Sequence, residues 1–314
     1  MSKSRIHIIL TITLLLAWAV PVLAQTVASK QDEAKLIAVL KNAQASRKGK
    51  ADACRQLAII GGKDAVAPLA ALLGDEELSH NARYALEPNP DPTVDEALRD
   101  ALGKLKGRQL VGVIGSVGVR RDAKAIGALT NLLSDSDPVV ARAAARAMGK
   151  IGTMEAANAL QQALPKVSAE NRLDFCEGLF RCAESLAANN QREQAVAIYD
   201  ELRQLDSPHQ VRGGALRGAI LTGGRGRLKL LQEHLGSKDY ILFSAAVQTS
   251  HDMPNARVTK LLVGAMEGLP ADNQVLIIQA LGRRGDKSAA PALHEAAQSS
   301  EKPVRIAALR AVTE

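Results

Sequence analysis

Apolar and polar positions follow a helical period in this chain, and the pattern comes in short blocks. The stretch from Asp137 to Pro165 shows one block in full. Asp137-Pro138 is a start signal, with Asp as N-cap and Pro at the first helical position. The pattern predicts a first helix over Val139–Met148, closed by Gly149–Thr153 because glycine adopts the left-handed conformation at helix ends. A second helix is predicted from Met154 to Leu164, with Ala157, Leu160 and Leu164 on one face and Pro165 at the exit. Ala143, Ala144 and Ala147 on the first helix let neighbouring helices approach closely.

The block recurs. Leu57-Ala-Ile-Ile-Gly-Gly-Lys-Asp-Ala-Val-Ala-Pro-Leu69 aligns without gaps with the stretches Val117–Leu129, Met148–Leu160 and Leu281–Leu293. Weaker copies end at Leu98, Tyr199, Leu230 and Leu261, which gives a period near 31 residues. That period fits a pair of helices joined by a tight turn. One pair cannot bury both of its faces, so the units must stack. The expectation is an all-α, right-handed α-solenoid of about eight helix pairs over residues 50–314, after a helical lead-in at 25–49.

The segment Asp137-Pro-Val-Val-Ala-Arg-Ala-Ala-Ala-Arg-Ala-Met-Gly-Lys-Ile-Gly152 resembles the short HEAT repeat, including the subtype named after phycobilisome lyases. The resemblance covers roughly residues 50–314. Two units depart from it. Residues 171–205 form the long unit, and the part from Ala187 to Leu202 looks like a tetratricopeptide helix pair. Residues 78–110 carry Pro88, Pro90 and Pro92 where the turn should be, so that turn must be extended. At the C-terminus, residues 303–314 read as an incomplete ninth repeat in which Val304, Ala308 and Val312 lack a partner. The resemblance also implies an Asp/Arg ladder between adjacent units, with Asp137 and Arg142 as its candidates.

Composition supports the helical reading. The 314 residues include 53 Ala and 41 Leu but only 3 Phe, 3 Tyr and 1 Trp. Ala and Leu favour helices, whereas sandwiches, barrels and base-stacking surfaces need aromatic residues. Residues 1–24 read as a secretory signal: Lys3 and Arg5, an apolar run from Ile8 to Val20, and Val22-Leu23-Ala24 at the cleavage site. Cleavage after Ala24 leaves a mature chain that begins at Gln25 and is exported to the periplasm or beyond. If residues 6–24 stay uncleaved, they are a membrane anchor. The net charge is +7, and +5 without Lys3 and Arg5. Export and the dispersed placement of these charges argue against nucleic acid as a partner.

Chemistry-bearing residues are sparse. Cys54, Cys176 and Cys182 are an odd set, read as three buried small residues. On one helix, Cys176 and Cys182 would stand about 9 Å apart along the axis, beyond the usual disulfide limit of about 7 Å. No sequence motif points to a metal, cofactor or catalytic site. His251-Asp252 reads as a solvated pair in a turn, and Gly223-Gly224-Arg225-Gly226 as a turn without a phosphate-loop strand. Arg120-Arg121 and Arg283-Arg284 fall at nearly equivalent turns, each followed by an Asp. They read either as capped, salt-bridged turns or as a basic ridge for an acidic partner.

The expectation is an exported, non-catalytic scaffold for a protein partner. Similar HEAT arrays stand beside c-type haem or sugar-hydrolase-like domains in secreted bacterial proteins. The resemblance therefore implies a docking arm for a downstream domain or partner enzyme. The alternatives are a phycobilin-lyase-like enzyme, which the repeat subtype suggests, and a membrane-anchored envelope protein.

Overall fold

A computed structural model describes residues 30–313 of the chain. The expected signal segment, the start of the lead-in and Glu314 lie outside the described residues. Within them, helices follow one another without a strand. Helix α1 covers residues 30–41. It is followed by α2 (Arg47–Ile60), α3 (Lys63–Ala70), α4 (Ser79–Leu86), α5 (Thr93–Leu102), α6 (Gly107–Arg120), α7 (Ile126–Leu132) and α8 (Pro138–Ile151). Next come α9 (Met154–Ala163), α10 (Ala169–Ala188), α11 (Arg192–Gln204), α12 (His209–Thr222) and α13 (Arg227–Leu235). The series closes with α14 (Tyr240–Ser250), α15 (Ala256–Ala265), α16 (Ala271–Arg284), α17 (Ala290–Ala296) and α18 (Lys302–Thr313). The described residues from α2 to α17 thus form eight helix pairs, and α18 opens a ninth.

The chain divides into two compact units, one ending at Ala147 and one beginning at Met148, inside α8. In the first unit, α2 packs on α4 and α4 on α6, while the second helices α3 and α5 pack on each other. In the second unit, α10, α12, α14, α16 and α18 stack in series. Each unit is therefore an α-solenoid stack of helix pairs, as the 31-residue period predicts.

The long repeat puts its extra residues into α10, a 20-residue helix where most first helices have 14 or fewer. Tyr199 of α11 packs beside Gly218 of α12. A Cβ on Gly218 would fall 2.5 Å from the Tyr199 ring. The prolines at 88, 90 and 92 do extend their turn: α4 ends at Leu86 and α5 starts only at Thr93.

Two expectations need correction. Gly149 does not close α8, which runs on to Ile151. Gly152 terminates it instead, at φ +70°. Gly149 serves close packing, because a Cβ there would lie 2.8 Å from the Cα of Gly178 on α10. The second correction concerns α18. Val304 and Ala308 are buried in the core that α16 and α17 complete. The open face carries Ile306, Leu309 and Val312, with Leu309 55% exposed. Of the three residues expected there, Val312 does stand on the open face.

Candidate functional site

The turns that end the first helices hold the most elaborate polar structure. Arg120, the last residue of α6, is turned inward. Its Nη1 donates to the carbonyl oxygens of Leu86, Glu87 and Asn89 at 3.3, 3.0 and 2.6 Å. All three lie at the end of α4 or in the turn after it, and Nε pairs with Asp95. Arg284 repeats the arrangement at the end of α16. It donates to the carbonyls of Ser250, Met253 (3.0 Å) and Asn255 (3.1 Å), while Nε donates to Thr259 Oγ1 at 3.2 Å. The sequence separations agree: 34 residues to Leu86 and Ser250, 31 to Asn89 and Met253, 25 to Asp95 and Thr259. The same clamp is thus built in both units, with an Asp in one and a Thr in the other under the guanidinium.

The residue after each clamp takes the left-handed conformation. Arg121 has φ +54° and Gly285 has φ +59°, and Gly152 is their counterpart after α8. Asp122 and Asp286 then cap the next turn, accepting from Lys124 N and Ser288 N at 3.1 and 3.0 Å. Asp122 also pairs with Arg99, and Asp286 accepts from Thr259 Oγ1 at 2.7 Å. Those hydrogen bonds hold the Asp286 carboxyl below its ordinary range, the one from Thr259 most strongly.

The structure therefore divides each expected arginine pair. Arg120 and Arg284 brace the preceding turn and do not form part of a basic ridge. Arg121 and Arg283 are exposed. Of the two residues named for the ladder, Asp137 has a local role. Asp137 Oδ1 accepts from Val139 N at 2.8 Å and caps its own helix. Ion pairs that link adjacent repeats of the second unit include Arg212 with Asp239 and Arg217 with Asp252, the latter at 3.1 Å. Arg212 holds in its repeat the position that Arg142 holds in its own, seven residues before the aligned small residue. Asp252 spends its charge on Arg217, so His251-Asp252 is a solvent-side turn as expected. The segment from Gly224 to Gly226 is a single 3-10 turn between α12 and α13.

The three cysteines are buried and unpaired. Burial pushes the Cys54 and Cys176 thiols up to about 11 and Cys182 to about 12. Cys182 donates weakly to the Met148 carbonyl at 3.6 Å.

Sequence reasoning missed Asn89. It is 4% exposed and donates to the Gly61 and Gly62 carbonyls at 3.1 and 3.0 Å. Its own carbonyl receives Arg120, so three consecutive turns are chained through it. A lone Asn between two prolines was the available signal. Also missed was a cleft of about 750 Å³ in the second unit, between α15 and α17. Val263, Met266, Ala292, Ala296 and Val304 line it, with Glu267, Glu295, Gln274 and Gln298 as its polar groups. The cleft has the size of a ligand or side-chain docking site. Among the described residues, no cluster of His, Cys, Asp and Glu has a metal-holding arrangement. No helix there is long and apolar enough to cross a membrane.

Residues 84–179 match the family model of HEAT repeats. Among solved structures, Kap121p aligns over 90% of this chain and 37% of its own, at 11% identity and a TM-score of 0.51. The phycocyanin lyase complex of CpcE and CpcF from Nostoc aligns over 79% of this chain and 93% of its own, at 19% identity and a TM-score of 0.39. Human deoxyhypusine hydroxylase aligns over 92% of this chain and 97% of its own, at 17% identity and a TM-score of 0.31. No curated protein matches the chain. The likeness to Kap121p shows a shared fold of stacked helix pairs, and this chain spans little more than a third of Kap121p.

Proposed function

We propose that this chain is an exported, non-catalytic HEAT-repeat scaffold that docks a protein partner, as an arm beside a redox or carbohydrate-processing enzyme. The observation that carries this reading is the open cleft between α15 and α17. It has an apolar floor and a rim of two carboxylates and two carboxamides. Such a rim suits hydrogen bonding to a partner's side chains. The HEAT match over residues 84–179 supports the scaffold reading, since this fold serves mostly for protein interaction. Arg121 and Arg283 are the exposed cations left for an acidic partner. The export part of the proposal rests on the sequence of residues 1–24.

Two measurements test it. The intact mass of the chain from the culture's extracytoplasmic fraction should correspond to a start at Gln25. Retention of the full chain in the cytoplasm would contradict export. Combined Glu267→Lys and Glu295→Lys substitution should remove the co-purifying partner while leaving the circular dichroism spectrum unchanged. Unaltered co-purification would move the docking surface elsewhere.

A further inference from the structure

The first unit contains a second, smaller cleft of about 120 Å³, between the starts of α4 and α6. Its lining is polar: Ser79, His80 and Arg83 from α4, Arg108 and Gln109 from α6, and Glu76 and Glu77 at the lip. We propose that this cleft binds a tetrahedral oxyanion of the phosphate or sulfate type, independently of the scaffold reading.

Four observations converge on it. Ser79 is only 7% exposed, yet its Oγ has no hydrogen-bond partner. A buried hydroxyl without a partner costs stability and marks a group waiting for one. Arg83 lies close against α6 at Gly112: a Cβ on Gly112 would fall 2.6 Å from Arg83 Nε in this arrangement. Its guanidinium is largely buried, and its nearest carboxylate, Glu87, is 4.0 Å away and also accepts from Ser116 Oγ at 2.7 Å. The cation is therefore undercompensated inside the cleft wall. Finally, α6 is 14 residues long and begins at this cleft, and Lys106 makes no side-chain cap there. The first-turn N–H groups and the positive end of the helix dipole thus face the same space.

Together the cleft supplies a hydroxyl donor, two guanidinium groups and the start of a helix. Oxyanion sites use these donors. The two glutamates do not cancel them. Glu77 is paired with Arg47. Glu76 is exposed and has freedom to turn into solvent. Arg83 Nη2 stands 3.5 Å from His80 Nδ1, which places the imidazole beside the anion.

Calorimetric titration with inorganic phosphate at constant ionic strength tests the site, with thermal unfolding alongside. Phosphate should bind the full-length chain and raise its Tm. Ser79→Ala should raise the Tm without phosphate, because the orphan hydroxyl is gone, and should weaken binding roughly tenfold. Arg108→Gln should weaken it by a similar factor without changing the fold, and Glu76→Gln should tighten it. Glycerol phosphate serves as the ester probe: binding as tight as free phosphate marks an ester ligand, and weaker binding marks the free ion. The proposal is overturned if phosphate does not bind, if Ser79→Ala and Arg108→Gln bind it like the parent chain, or if acetate binds as tightly as phosphate.

Discussion

Arg120 and Arg284 show how much of this fold hangs on single side chains. Each guanidinium donates to three carbonyl groups at a helix end and along the turn after it, where backbone N–H partners are few. Replacing either by Met should cost about 2–3 kcal/mol, since partly buried acceptors lose their donor. Urea unfolding of Arg120→Met and Arg284→Met measures this directly. A cost under about 0.5 kcal/mol would mean that water replaces the guanidinium freely. The adjacent Arg121 makes the opposite case. A side chain in the left-handed region carries roughly 1 kcal/mol of strain, and Gly285 occupies the equivalent position. Arg121→Gly should therefore leave stability unchanged or raise it by up to about 0.5 kcal/mol, the relief being partly offset by unfolded-chain entropy.

The equivalence of the two arginine turns was legible in the sequence, down to the Asp that follows each. Which guanidinium turns inward was not. Arg120 aligns with Arg284, but Arg121 aligns with a glycine. The backbone conformation at that second position decides the direction. Asp239 adds a pH dependence. Its carboxyl is held below the ordinary range first by the hydrogen bond from Arg212, and next by the backbone N–H groups of Ile241 and Leu242. A carboxylate with a depressed folded-state pKa contributes its full stability above the unfolded value, about 3.9, and loses it as pH falls through the folded value. The Tm should thus fall below about pH 4. Asp239→Asn should make that fall shallower and lower the Tm at neutral pH. An acid limb identical to that of the parent chain would remove Asp239 from the account.

At the level of helices, the spacing of the chain is set by small residues at crossings. Gly149 and Gly178 bring α8 and α10 into backbone contact, and Gly218 receives the Tyr199 ring of α11. Gly149→Ala and Gly218→Ala should each cost about 1–3 kcal/mol through overpacking, despite the higher helix propensity of alanine. A stabilised variant in thermal unfolding would show that the crossing can open. Helix pairs, their number and their period followed from the sequence pattern. The role of Gly149 did not, because one glycine serves equally well as a terminator or as a contact. Only the neighbouring helix distinguishes them. The open face of α18 shows the same limit. Val312 was identified but Ile306 and Leu309 were not, because helical phase depends on which neighbour the helix packs against.

On the scale of the whole molecule, the described chain is two stacks of helix pairs, with cores that hold buried thiols. Cys54 lies in the first unit, Cys176 and Cys182 in the second. With thiols pushed up to about 11 or 12 by burial, none should react with maleimide at neutral pH until its own unit unfolds. Along a urea series, Cys54 should become reactive as one step and Cys176 with Cys182 as another, as local stability in repeat arrays allows. Labelling of all three in the native state would contradict the packing.

The scaffold account itself depends on where partner protein touches the chain. The most direct measurement is photo-crosslinking of the chain in its native cell, with the photoreactive residue placed in turn at Glu295, Arg283 and, as a control, Glu193. The account predicts a discrete protein adduct from Glu295 in the α15–α17 cleft or from the exposed Arg283 at the end of α16, and none from Glu193. Adducts from the control position alone, or from none of the three while the chain is exported and folded, would contradict it.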